Sequence, residues 1–167
     1  MFDELTEVDI KKMQEEINHR VRVLRPQLIE EVQTARAFGD VSENFENKCA
    51  KQAKNRNESR IRYLERMIRT AKVIEVEQQD DVVGLFDKVT IFNEMVKQEM
   101  TIQIVTTLRQ DALKGLISKE SPAGRALLGK SAGDTVFIQV NKDFGYEVVV
   151  RAIEKGQDDG SAQLNEF

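Results

Sequence analysis

Asp40 and Glu43 stand three residues apart in Gly39-Asp40-Val41-Ser42-Glu43, a short interruption in a long charged helical pattern. On a tight turn that spacing lets both carboxylates point the same way. Paired carboxylates bind hard divalent cations, but two at an exposed apex make an incomplete Mg2+ site, because the ion wants six oxygens in a rigid octahedron. Such a pair can lend one or two ligands to an ion held mostly by something else. A plainer role is equally open: Asp40 or Ser42 caps the helix that follows, and Glu43 favours its positive end. Elsewhere the chain has no Ser/His/Asp set, CxxC, HExxH, P-loop or GxGxxG. The single histidine, His19, and the single cysteine, Cys49, sit away from other candidate ligands. One cysteine excludes an internal disulfide and fits a reducing cytoplasm.

The acidic pair needs elements to carry it. From Leu5 to Phe38 the apolar residues recur in steps of three and four: Ile10, Met13, Ile17, Val21, Leu24, Leu28, Val32, Ala35 and Phe38. So narrow a stripe predicts a coiled-coil seam rather than a broad globular face. Thr6, with Asp9 three residues on, marks the helix start. Pro26 removes a hydrogen bond inside the pattern, yet the stripe stays in phase beyond it, so a kink is expected and not a break. Gly39 supplies the stop. Phe45, Cys49, Ala50, Ala53, Asn57, Ile61, Leu64, Ile68 and Ala71 then continue the seam to about Ile74. Its small residues come first, which predicts a slender tip and a better packed base. Two arms of similar length predict an antiparallel hairpin, each arm roughly 45–50 Å long at about 1.5 Å per residue.

Charge is distributed unevenly. The formal net charge is −4, but from Lys48 to Lys72 nine basic residues stand against two acidic ones, Glu58 and Glu65. Lys48, Lys51, Arg62, Arg66 and Arg69 fall within about one-sixth of a turn opposite the seam, with Arg56 and Arg60 to one flank. A solvated coiled-coil face usually mixes signs. The imbalance favours an anion-binding stripe, and the natural anion is a nucleic-acid phosphate backbone.

After Glu75 the texture changes. Residues 77–81 read as a polar linker. Four strand-like runs follow, at 88–92, 99–106, 135–140 and 146–153, several alternating apolar with polar as half-buried antiparallel strands do. Ser121-Pro122 opens a short helix, 123–128, that Gly129 ends. The chain of 167 residues, 40% hydrophobic and 32% charged, therefore reads as α+β: a coiled-coil hairpin (1–76), a linker (77–81), a small antiparallel sheet domain (82–157) and a loose polar tail (158–167). No apolar run approaches the roughly 18 residues a membrane helix needs, and the acidic start MFDELTEVDI has no signal-peptide plan. A cytoplasmic chain, monomeric when free, is expected.

The motifs resemble those of a known family, the bacterial transcript-cleavage factors GreA and GreB. Arg25-Pro26, then Ala35-Arg36-x-x-Gly39-Asp40-x-Ser42-Glu43-Asn44, is similar to the family's hairpin tip. Ser118-x-x-Ser121-Pro122-x-x-Arg125-Ala126-Leu127-Leu128-Gly129-Lys130-x-x-Gly133-Asp134 is similar to its C-terminal signature. The run Ser59-Arg60-Ile61-Arg62-Tyr63-Leu64, with the dense basic residues around it, looks more like GreB. The resemblance covers nearly the whole chain. It implies that the hairpin enters the secondary channel of RNA polymerase, where Asp40 and Glu43 help hold a second Mg2+ shared with the polymerase's own aspartates, and that no cofactor belongs to the chain itself. The 3′ end of backtracked RNA is then hydrolysed by two-metal chemistry: the chain stimulates the polymerase and is not itself the enzyme. Arg36 and Lys51, with Lys54 and Arg56, match the basic patch that contacts the extruded RNA. The C-terminal domain would be FKBP-like and dock at the channel mouth through the loop holding Ser121 and Pro122. Two positions depart from the family pattern: Phe45 is bulky, and Asn47 stands where Tyr is common. A non-cleaving channel binder that inhibits the polymerase is the alternative.

Overall fold

The computed structural model describes residues 3–37, 43–158 and 160–165. It divides into two compact units, one of Met1–Asp3 with Ile10–Lys72, the other of Glu4–Asp9 with Val73–Phe167.

A two-residue strand, β1 (Glu4–Leu5), precedes α1 (Glu7–His19), whose residues up to Asp9 belong to the second unit; the described residues of the first unit from Ile10 on are almost wholly helical. The start of α1 is the predicted one. Thr6 N donates to Asp9 Oδ2 at 3.0 Å and Asp9 N donates to Thr6 Oγ1 at 3.3 Å, a reciprocal cap with Asp in the place Glu usually takes. The expected kink at Pro26 takes the form of a π-helical turn, Arg20–Leu24, immediately before α2 (Arg25–Ala37). An unbroken α-helix would drive the Pro26 ring into the carbonyl of Arg22; the wider turn absorbs the conflict. The other arm is α3 (Glu43–Thr70).

Glu16 pairs with Arg60 and Arg20 with Asn57, and further along Ala35 lines one groove with Ala50. Partners that rise on one arm as they fall on the other make the arms antiparallel. Every stripe residue from Ile10 to Ala35 is buried or half-buried. On α3 the seam differs from expectation near the tip. Phe45 is 76% exposed and Cys49 is exposed, whereas Asn47 is half-buried. The seam runs through Asn47, Ala50, Ala53, Lys54, Asn57, Ile61, Leu64, Met67 and Ile68, so the expected Ala50, Ala53, Asn57, Ile61, Leu64 and Ile68 all lie in it. Phe45 and Cys49 each lie two residues from Asn47, about 200° around the helix. The helix also ends four residues before Ile74, and the chain continues as β2 (Lys72–Val73).

The second unit holds a five-stranded sheet in the order β5-β4-β3-β7-β6. Its strands are β3 (Lys88–Asn93), β4 (Gln98–Val105), β5 (Leu116–Ser118), β6 (Thr135–Gln139) and β7 (Gly145–Glu154), with α4 (Pro122–Leu127) between β5 and β6. Four of these match the predicted runs. The sheet is mixed, not antiparallel throughout: β5 runs parallel to β4, pairing Ile104 with Ile117. At three residues β5 is too short for alternation to reveal it. The core lies on one face, where Val89, Ile91, Ile102, Ile104, Val136, Ile138, Val148 and Val150 meet Leu127 of α4. Gly124 is required there, because a Cβ would lie 2.2 Å from the carbonyl oxygen of Ser118.

The segment expected as a loose tail is tied down at its start. Arg109, 1% exposed, donates through Nε to Asp9 Oδ1 at 2.6 Å and through Nη1 and Nη2 to Asp158. Thr106 Oγ1 reaches the same Asp9 oxygen at 3.0 Å, and Thr6 Oγ1 donates to Asp158 Oδ2 at 3.2 Å. Further on, Asn165 N donates to Leu108 O at 2.6 Å. A buried guanidinium needs such carboxylates, and Asp158 supplies one that composition alone assigned to solvent. Burial pushes the Asp158 carboxyl up, but its hydrogen bonds from Arg109 outweigh this and hold it below the usual range. Its contribution to stability is therefore present above the ordinary aspartate pKa and lost as pH falls through the lowered value. Asp158→Asn is expected to cost about 1.5–3 kcal/mol at neutral pH and to flatten the acid limb of a pH-dependent urea titration. An unchanged acid limb would show that the contact carries no stability.

Candidate functional site at the helical hairpin

The acidic tip falls partly outside what can be described. Asp40 and Ser42 lie in residues 38–42, outside the described residues, and Glu43 is the first residue of α3. Among the described residues no group of three or more His, Cys, Asp or Glu side chains is arranged to hold a metal ion. Two carboxylates alone also fall short of a Mg2+ shell.

The basic candidates divide between faces. Arg36 is exposed in the last turn of α2; on α3, Lys51 and Arg56 are exposed and Lys54 is half-buried. At about 100° per residue, Arg56 lies about 140° around the helix from Lys51. The helix thus does not place Lys51, Lys54 and Arg56 in one patch. Lys48, Lys51, Arg62, Arg66 and Arg69 are all exposed, as the wheel predicts for a face opposite the seam. Arg60, expected on the flank, is instead 6% exposed and turned inward. Its guanidinium donates to Glu16 at 2.9 and 3.3 Å and lies 5.5 Å from the ring centre of Tyr63.

A polar layer of Glu16, Arg20, Asn57 and Arg60 crosses the hairpin. Glu16 Oε1 accepts from Arg20 Nε at 2.8 Å and from Arg60 Nε at 2.9 Å. Arg20 Nη1 donates to Asn57 Oδ1 at 3.0 Å, and Asn57 Nδ2 donates to Arg20 O at 3.3 Å. Nearer the tip, Arg25 holds Glu58 bidentately at 2.7 and 3.0 Å. Sequence reasoning missed this layer, although a polar Asn57 inside an apolar stripe was a signal for it. Above it, Gln27, Glu31, Ala35, Cys49, Ala50 and Ala53 line a groove of about 620 Å3.

At the other candidate, Ser121 caps α4: its Oγ accepts from Gly124 N at 3.0 Å and donates to Ser118 O at 2.6 Å. Its hydroxyl is thus committed within the loop, while Pro122 is exposed.

Comparison with known proteins gives the hairpin and sheet a family. Residues 4–73 match the family model described as "Transcription elongation factor, N-terminal", and residues 69–155 match "Transcription elongation factor, GreA/GreB, C-term". The chain belongs to the GreA/GreB family. The transcription elongation factor GreA of Mesoplasma florum is 38% identical over 86% of this chain and 94% of its own length. GreA of Brucella anthropi is 40% identical over 87% and 94%. Among solved structures, the GreA factor homolog 1 of Thermus thermophilus aligns over 93% of this chain and 100% of its own at 25% identity, with a TM-score of 0.42.

The two carboxylates of the GreA/GreB hairpin described here differ in what their loss should do. Burial raises Glu16, but hydrogen bonds from Arg60 and Arg20 outweigh it and leave its carboxyl below the usual range; Glu58 is lowered by its bond from the more exposed Arg25. Both contributions are present above the ordinary glutamate pKa and fade as pH falls through the lowered values. Glu16→Gln should cost about 1.5–3 kcal/mol and Glu58→Gln no more than about 1 kcal/mol in urea melts of hairpin helicity. The reverse order would contradict the burial argument.

Proposed function

We propose that this elongation factor binds RNA polymerase, inserts its hairpin into the secondary channel and stimulates cleavage of the 3′ end of backtracked RNA. Cleavage is carried out by the polymerase; this chain contributes part of the site. What carries the reading is a two-arm hairpin, braced across its seam by charged side chains, whose arms are joined in sequence by the segment holding Asp40 and Glu43. A brace of this kind suits a side chain that must arrive at a distant active centre in a fixed position.

In this reading Asp40 and Glu43 lend ligands to a Mg2+ ion held chiefly by the polymerase. That ion, when bound, activates a water and stabilises the departing oxygen. Glu43, in the first turn of α3, sits where the helix end favours a carboxylate. Arg36 and Lys51, both exposed, neutralise phosphates of the extruded RNA, which makes their contribution salt-dependent. Pro122 and the capped loop around it meet the channel mouth.

One observation favours the second reading, a channel binder without cleavage. Phe45, two residues past Glu43 in sequence, is 76% exposed and lies outside the seam, a bulky ring where the family pattern has a small residue. Asn47, in contrast, occupies the seam.

A purified elongation complex stalled in a backtracked register separates the readings. The chain should release short 3′ RNA fragments, and Asp40→Ala or Glu43→Ala should lower the rate at least about 100-fold with binding retained. Slowed nucleotide addition without any fragment would establish the second reading. The division of basic faces gives a finer check. Lys51→Ala should raise the half-saturating concentration several-fold and reduce its salt dependence by about one phosphate contact, with Arg56→Ala changing it little; equal effects would mean that both faces meet the RNA.

A further inference from the structure

Asn57 is 3% exposed in the seam of α3, between Ala53 and Ile61. Its amide is fully engaged with one residue. Oδ1 accepts from Arg20 Nη1 at 3.0 Å and Nδ2 donates to Arg20 O at 3.3 Å. Arg20 opens the π-helical turn, and its carbonyl also accepts the backbone N–H of Arg25. Asn57 therefore grips the opposite arm at the turn where that arm leaves α-helical periodicity. A π turn holds one residue more than an α turn. It offsets all of α2 relative to α1 by about 1.5 Å along the axis and about 100° around it. Pro26 favours the same turn from within its own arm. The turn thus has two separate causes, one local and one from across the hairpin.

We propose that Asn57 is a positioning residue for cleavage. By clasping Arg20 at the π turn, it fixes which residues of the two arms face each other, and so the height and rotation of α2 against α3. A buried amide is a poor choice for stability alone, since an apolar residue would bury more favourably. A polar residue in a helical seam is a recognised way to specify register. Removing it strands no backbone group, because Arg20 O keeps the Arg25 N–H and Arg20 Nε keeps Glu16. The inference rests on the proposed function, but its structural half can be tested without polymerase.

Spin labels on Cys49 and on Glu31→Cys, which line the same groove between α2 and α3, report the relative setting of the arms in the full chain. The parent should give one narrow distance. Adding Asn57→Leu should broaden or shift it, and adding Pro26→Ala as well should shift it further as the π turn relaxes. Asn57→Asp has the same size and keeps an acceptor for Arg20 Nη1 but loses the donor to Arg20 O; it should show a smaller shift, and it serves if the Leu variant fails to fold. In the cleavage assay, Asn57→Leu should lower the maximal rate at least about tenfold while changing the half-saturating concentration less than about twofold. A distance unchanged in the folded variants overturns the proposal, as does a shifted distance with an unchanged maximal rate. If the parent chain itself releases no fragment, the proposed function fails, and the distances still decide whether Asn57 sets the register.

Discussion

Two paired helices, each about 10–12 Å across with its side chains, cannot enclose a core that would hold them in a single register. Apolar stripes with steps of three and four can slide past one another by a turn and still bury similar area, so alignment has to come from groups that tolerate no displacement. In this hairpin those groups are Glu16 shared between Arg20 and Arg60, the Asn57 amide on Arg20, and the bidentate Arg25–Glu58 pair. Half-buried ion pairs of this sort add little net stability. Their value lies in geometry.

The sheet unit meets a similar demand by other means. Its strands bury a contiguous apolar face under α4, so its register is set by side-chain alternation. The polar centre of this unit is Arg109, which joins Asp9 at the beginning of α1 to Asp158 near the end of the chain. A guanidinium with five donors in a fixed fork can hold two carboxylates at once, and here it draws together segments about 150 residues apart in sequence.

Much of this was legible in the sequence because it follows from periodicity. The stripe from Ile10 to Ala35, the Thr6–Asp9 cap, the four longer strands and the Ser121 cap of α4 all express local rules. What stayed hidden depends on contacts between distant residues. Arg60 looked like a solvent-facing base because a wheel shows only its angle, and Glu16 lies 44 residues away. Asp158 looked like tail because nothing near it in sequence announces Arg109. Phe45 and Cys49 were placed in the seam by their apolar character; the seam instead follows the less apolar Asn47, whose spacing to Ala50 fits the helix. Strand β5 was too short to show any alternation. At the acidic tip spacing left a metal-ligating role and helix capping equally open for Asp40 and Glu43, and the family resemblance alone implies the first.

If the hairpin delivers its acidic end to the polymerase active centre, a photocrosslinker at position 43 is the most direct probe. In a backtracked elongation complex it should label the 3′-terminal nucleotides of the RNA together with the polymerase segment that carries the active-centre aspartates. Labelling confined to the outer surface of the polymerase, with none on the RNA 3′ end, would contradict the delivery of Asp40 and Glu43 to the reaction.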